Sequence, residues 1–283
     1  MSDDALYALG LTPSDVPSLP TKARRKLSAY LLRWGHLDAA RRCLRQLLVT
    51  HYHQVSVYDE LAKAHLGLDD AERALEIMER RHALRTSSTS QALVARIHLV
   101  RGDVKAAQRI SEELLDDNPE SVMAWGLRGD VALANGDWTE AEAAYRRIES
   151  LNPTSPAAAF RLARLYQEQS NTDEALNQAQ EAVARYEDRD APVDYLRLLE
   201  TLLRESDRIE EAEAVAQGLH QREQRELEEL RLVLKPAEKP SARPSVKKDE
   251  TPKPPPPASP VLSSSTSLTV NSEGPVLSRA CPE

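Results

Sequence analysis

One alanine recurs along most of this chain at an almost constant interval, and that interval constrains the fold more than any other feature. Ala40, Ala74, Ala107, Ala141, Ala175 and Ala212 each lie five residues after a Gly, Ser or Asp. The segments concerned are Gly35-His36-Leu37-Asp38-Ala39-Ala40, Gly102 to Ala107, Gly136 to Ala141 and Ser170 to Ala175, with looser copies at Asp69 to Ala74 and Asp207 to Ala212. Successive gaps are 34, 33, 34, 34 and 37 residues, the period of stacked helix pairs and not of a seven-residue coiled coil. Gly or Asp ends one helix in a left-handed or side-chain-capped turn, and Ala lets the next helix come close.

The spacing predicts six repeats, 21–54, 55–87, 88–121, 122–155, 156–189 and 193–226, with Asp190 to Pro192 inserted before the last. Ala, Leu, Glu, Arg and Gln, which lose little on entering a helix, dominate this part, so an all-α fold is expected. A helix pair cannot bury its apolar stripe alone, and stability then comes from a sum over neighbouring pairs. Residues 227–234 read as the end of a capping helix. Residues 1–20, with Pro13, Pro17 and Pro20, form a short N-terminal segment.

Eleven of the eighteen prolines fall between Pro236 and Pro282. Residues 235–283, rich in Pro, Ser and Lys, are therefore expected to be a disordered tail or linker, with polyproline II in Pro252 to Pro257. Residues 1–234 hold thirty basic and forty acidic side chains, a net of −10. That acidity argues against general nucleic-acid binding, which needs clustered positive charge. Cys43 and Cys281 stand far apart, which fits a reducing compartment. Acids follow Met1 where a secretory signal would be basic, and no apolar run is long enough to span a bilayer; a cytoplasmic protein without membrane attachment is expected.

The fourth repeat closely resembles the tetratricopeptide repeat, through Trp125, Gly129, Gly136, Ala141, Tyr145 and Pro153. The third shares Ala95, Gly102, Ala107 and Pro119, and the fifth Ala163, Tyr166, Ala175 and Ala179. Glu200 and Arg128 depart from the pattern, where a small and an apolar residue are usual. The resemblance implies a right-handed superhelical solenoid of antiparallel helix pairs, with the first helices lining a concave groove that holds a partner peptide. Projected onto this chain, that face picks out Arg25, Lys63, Arg96, Asp130, Arg161, Arg164 and Arg197, with Asp59, Glu60 and Asp194 beside them. A basic inner stripe on an acidic shell would suit an acidic segment or a C-terminal carboxylate, because Arg holds carboxylate oxygens in a bidentate fork. The same arginines could instead be solvated or paired with neighbouring acids. The paired asparagines with which one subgroup clamps chaperone tails are missing, their places taken by Ala29, Lys63, Arg96, Asp130 and Arg164.

No phosphate-cradling Gly-rich loop, Gly-x-Ser-x-Gly elbow, His-Glu-x-x-His or Cys-x-x-Cys occurs. No catalytic, cofactor-binding or metal-binding residue is therefore expected. His51 and His53 would need ligands from distant repeats to hold a metal, and Cys43 reads as a small packing residue. Trp125 and Trp138 read as repeat-core and turn-packing residues. The function expected is a non-catalytic scaffold or adaptor. Two alternatives stay open: a chaperone using Leu66, Leu99, Val100, Leu127, Leu133 and Phe160, and a tethering module for a nucleic-acid enzyme.

Overall fold

The computed structural model describes residues 4–186 and 190–234; the Pro-rich segment 235–283 lies outside the described residues. Among those residues every regular element is helical. A short α1 (Asp4–Ala8) and a 3-10 turn (Val16–Ser18) precede six helix pairs. These are α2 (Thr21–Trp34) with α3 (Leu37–Thr50), α4 (Val55–Leu66) with α5 (Ala71–Leu84), and α6 (Ser88–Val100) with α7 (Val104–Asp117). Then follow α8 (Val122–Ala134) with α9 (Trp138–Leu151), α10 (Pro156–Glu168) with α11 (Thr172–Ala184), and α12 (Val193–Glu205) with α13 (Ile209–Leu234).

The repeated segments are the turns inside these pairs. Their opening residues, Gly35, Asp69, Gly102, Gly136, Ser170 and Asp207, all have positive φ, from 58° to 83°. The next residue returns its N–H to the carbonyl five positions back in every copy: His36 to Leu31, Asp70 to His65, Asp103 to His98, Asp137 to Ala132, Asn171 to Tyr166 and Arg208 to Leu203, all at 2.8–2.9 Å. This left-handed closure satisfies carbonyls that the ending helix leaves orphaned. Asp70, Asp103 and Asp137 then cap the second helix, accepting the backbone N–H three residues on.

All six period-setting alanines are fully buried. They sit where the second helix crosses the first, and any larger side chain would push the pair apart. Gly129 serves the same end from the first helix, since a Cβ there would stand 2.2 Å from Cε1 of Tyr145. Each pair packs on the next, and successive first helices from α4 to α12 also touch one another, forming a single wall.

At its far end the array meets its own beginning. α13 runs for 26 residues where α9 has 14, about three turns more, so residues 227–234 continue the sixth repeat's second helix without a break. Leu219, Leu227, Leu230 and Leu234 are buried in one apolar cluster with Leu27, Tyr30, Leu31 and Trp34 of α2 and with Ala5, Leu6 and Val16 of the N-terminal segment. Glu226 accepts from Trp34 Nε1 at 3.0 Å and Arg33 at 2.8 Å, and Arg231 donates to the Ala8 carbonyl at 3.1 Å. The N-terminal segment is thus packed structure, wedged between the first and last helix pairs.

Candidate partner-binding groove

The wall of first helices follows from the same period. Lys63, Arg96, Asp130 and Arg164 are separated by 33, 34 and 34 residues, and Leu66, Leu99 and Leu133 form a second row three residues further on. Residues three apart share a helix face, so stacking the repeats lays a charged row beside an apolar one. A concavity of about 750 Å³ opens over these rows, walled by Leu66, Leu99, Leu133, Phe160 and Leu198 with Arg96 and Arg164. A second, of about 460 Å³, shares Arg96 and is walled by Lys63, Leu93, Met123, Leu127 and Arg161. Both lie in the size range of ligand pockets, and their shared wall makes them one groove crossing α4, α6, α8, α10 and α12.

Asp130 organises its centre. Tyr145 donates its hydroxyl to Asp130 Oδ1 at 3.0 Å, Arg161 pairs with the same oxygen, and Arg96 reaches Oδ2 at 3.8 Å. Arg161 also lies over the Tyr145 ring, 5.7 Å from its centroid. Burial works against the charge on Arg161, but Asp130 outweighs it and raises its pKa. Burial, reinforced by Asp130, pushes the Tyr145 hydroxyl up and keeps it a donor. Arg96 is lowered, by burial and then by the like charge of Arg161. At the end of the groove Phe160 stacks on Tyr195 with centroids 4.0 Å apart, and Tyr186 meets Tyr195 edge-on at 5.6 Å. Burial and the nearby Tyr186 push the Tyr195 hydroxyl up to about 12.

Of the six basic residues that the sequence singles out, Lys63, Arg96, Arg161 and Arg164 line the groove. Arg25 and Arg197 are placed elsewhere. Arg25 donates to Ser56 Oγ at 2.8 Å, and Arg197 reaches the Trp34 carbonyl at 3.2 Å, where the ring closes. Carboxylates match the four remaining cations, because Asp59, Asp130, Glu168 and Asp194 line the same walls. The stripe is therefore mixed in charge. Asp59 is committed to Arg81 at 2.9 Å and Asp130 to Arg161, whereas the side chains of Lys63, Arg164, Glu168 and Asp194 make no hydrogen bond or ion pair with any described residue. Burial raises the Glu60 carboxyl above its ordinary value, although the charges of Arg25 and Lys63 pull the other way. Glu168 and Leu198 are not among the residues the sequence singles out, although Glu168 lies one turn beyond Arg164 and Leu198 one repeat beyond it.

Cys43 is buried, with its thiol against the Arg24 carbonyl at 3.4 Å, and burial pushes its pKa up to about 12. No group of three or more His, Cys, Asp or Glu among the described residues could hold a metal ion, and no described helix is long and apolar enough to cross a membrane.

Residues 95–156 and residues 132–200 each match a family model described as tetratricopeptide repeat. The chain is a tetratricopeptide-repeat protein. Its fold is similar to that of a thermophilic tetratricopeptide-repeat protein of Thermus thermophilus, TTC0263, at 23% identity and a TM-score of 0.51 over 64% of this chain and 99% of that one. More loosely, it matches a tetratricopeptide-repeat protein from Parabacteroides merdae, at 17% identity and a TM-score of 0.42 over 71% and 79% of the two chains. The type IV pilus biogenesis factor PilW matches at 17% identity and a TM-score of 0.45 over 74% and 97%. No curated protein matches the chain. Tetratricopeptide repeats generally mediate protein–protein interaction, and in this tetratricopeptide-repeat protein the wall of first helices is the surface the groove occupies.

Proposed function

We propose that this protein is a non-catalytic scaffold or adaptor that holds a segment of a partner protein in the groove of its first helices. One observation carries the reading: a continuous concavity offers an apolar wall beside Arg164 and Lys63, which form no ion pair with any described residue. An apolar side chain of the partner would seat among Leu99, Leu133 and Phe160, and a carboxylate of the partner would be taken by Arg164. Arg161 contributes by fixing Asp130 and, with it, the shape of the floor.

The experiment is a cross-linked capture from native lysate with the full chain, compared with Arg164→Glu combined with Val100→Asp. Both positions are exposed, so folding should be unchanged by circular dichroism. Captured partners should be lost; equal capture by the variant would sink the proposal. A chaperone reading has its own support, since Leu66, Leu99, Val100, Leu127, Leu133 and Phe160 all line the groove. The two separate by salt, because an apolar client should survive salt that screens a carboxylate contact.

A further inference from the structure

Charge is distributed unevenly over the repeats. Residues 21–54 contain eight Lys and Arg against Asp38 alone, a net of +7 in a chain of net −8. Residues 55–234 contain 22 basic and 36 acidic side chains, a net of −14. The excess is visible on the second helices. α11 bears Asp173, Glu174 and Glu181 with no Lys or Arg, whereas α3 bears Arg41, Arg42 and Arg45 against Asp38.

A cleft of about 500 Å³ lies between α3 and α5, over α4 and apart from the groove. Its floor is apolar, with Leu48, Leu61 and Ile77; Arg45, Arg73 and Arg80 stand on its rim with Glu76, and Arg73 is already paired with Asp70 at 3.3 Å. Arg80 makes no hydrogen bond or ion pair with any described residue, and Arg45 makes only a 3.4 Å contact to His65 Nε2. Val49, also in the wall, is 81% exposed, more than any other large apolar side chain among the described residues. Such a cleft fits a segment that is acidic and apolar on the same face.

The chain itself carries that segment. At the end of α13, Leu227, Leu230 and Leu234 turn inward to α2, which leaves Glu228 and Glu229 exposed with Leu232 and Val233. Leu232, at 70%, is the next most exposed large apolar residue after Val49. Glu228 and Leu232 stand four apart, hence on one helix face. We propose that the arginine-rimmed cleft of α3 and α5 is a self-association surface that seats the exposed end of α13 from a second copy of the chain. The contact joins unlike surfaces, so each pair of copies still offers one free cleft and one free helix end, and assembly continues head to tail. A nucleic-acid partner is disfavoured by the −14 carried on the remaining repeats.

The test is sedimentation of the full chain from about 1 to about 100 μM, a range spanning ordinary weak association. Mass should rise with concentration in about 50 mM salt and fall back in about 500 mM, where charge contacts are screened. Arg45→Ser with Arg80→Ser should be monomeric throughout, as should Glu228→Ser with Leu232→Ser. Mixed, the two variants retain one good cleft and one good helix end between them. They should form dimers and nothing larger, which also shows that both are folded. A wild-type chain that stays monomeric over this range, or variants that associate within twofold of wild type, would overturn the proposal. So would a monomer that instead binds a duplex oligonucleotide through Arg45 and Arg80.

Discussion

His65 is fully buried between two repeats, with Nδ1 3.0 Å from Asp70 Oδ2 and Nε2 3.4 Å from the Arg45 guanidinium. The arrangement suits a neutral ring that donates from Nδ1 and accepts at Nε2. Burial lowers its pKa, with Asp70 pulling the other way, and burial and then Arg81 lower His82 as well. A lowered folded-state value means that the unfolded chain takes up the proton first. Stability should therefore be complete above the ordinary histidine value of about 6.5 and should fall as pH drops below it. Thermal melts at pH 8, 6.5 and 5.5 check this, and His65→Gln should flatten the decline; an equal decline in the variant would remove His65 as its source. Cys43 gives a second expectation at this scale. Its raised pKa and burial should leave it unreactive toward a thiol reagent in the native Cys281→Ser chain and reactive only on unfolding.

At the scale of the helix pair, the turn residues make opposite predictions. Ser170 holds φ of 58° with an L side chain, which costs about 1 kcal/mol that glycine would not incur. Ser170→Gly should raise stability by about that amount, and Gly102→Ala, at φ of 76° with nothing near the new Cβ, should lower it by about 1 kcal/mol. Denaturant midpoints measure both, and shifts of the same sign would contradict the turn geometry. Gly129 works by space and not by φ. A methyl there drives into the Tyr145 ring, so Gly129→Ala should cost about 1–3 kcal/mol and should loosen the hydroxyl of Tyr145 from Asp130. The turns and the buried alanines were legible in the sequence because both recur at the repeat period. The inner-face row was legible for the same reason, as Lys63, Arg96 and Arg164 show. What their charges meet was not, because Asp130 serves Arg161 of the next repeat and Arg96 of the previous one.

Over the whole molecule the deciding contact is the one between α13 and α2. Its core is apolar, and each buried leucine is worth about 1.5–3 kcal/mol, whereas part-exposed ion pairs such as Arg33 with Glu226 are worth about 0–1 kcal/mol. Burial raises the Glu226 carboxyl, yet hydrogen bonds from Trp34, Arg33 and Arg222 bring it below the ordinary value. Closure should accordingly tolerate salt and depend on leucine. Leu227→Glu with Leu230→Glu should open the array, seen as a larger radius of gyration in small-angle scattering, while Glu226→Gln should leave it closed. An unchanged scattering profile for the leucine variant would show that the closed form does not rest on this cluster.

The helix pairs, their left-handed turns, the close crossings at alanine and the rows that form the groove wall all follow from the order of residues along the chain. Each of these is settled within about 34 residues and repeats, so local chemistry states it several times over. Long-range packing alone sets the extension of α13 past its repeat, the wedging of the N-terminal segment beneath it, and the turn of Arg197 away from the groove to the Trp34 carbonyl. Those contacts join residues 163 to 223 positions apart and occur once. Their cause is the accumulated curvature of six stacked pairs, which no single repeat carries in its own residues.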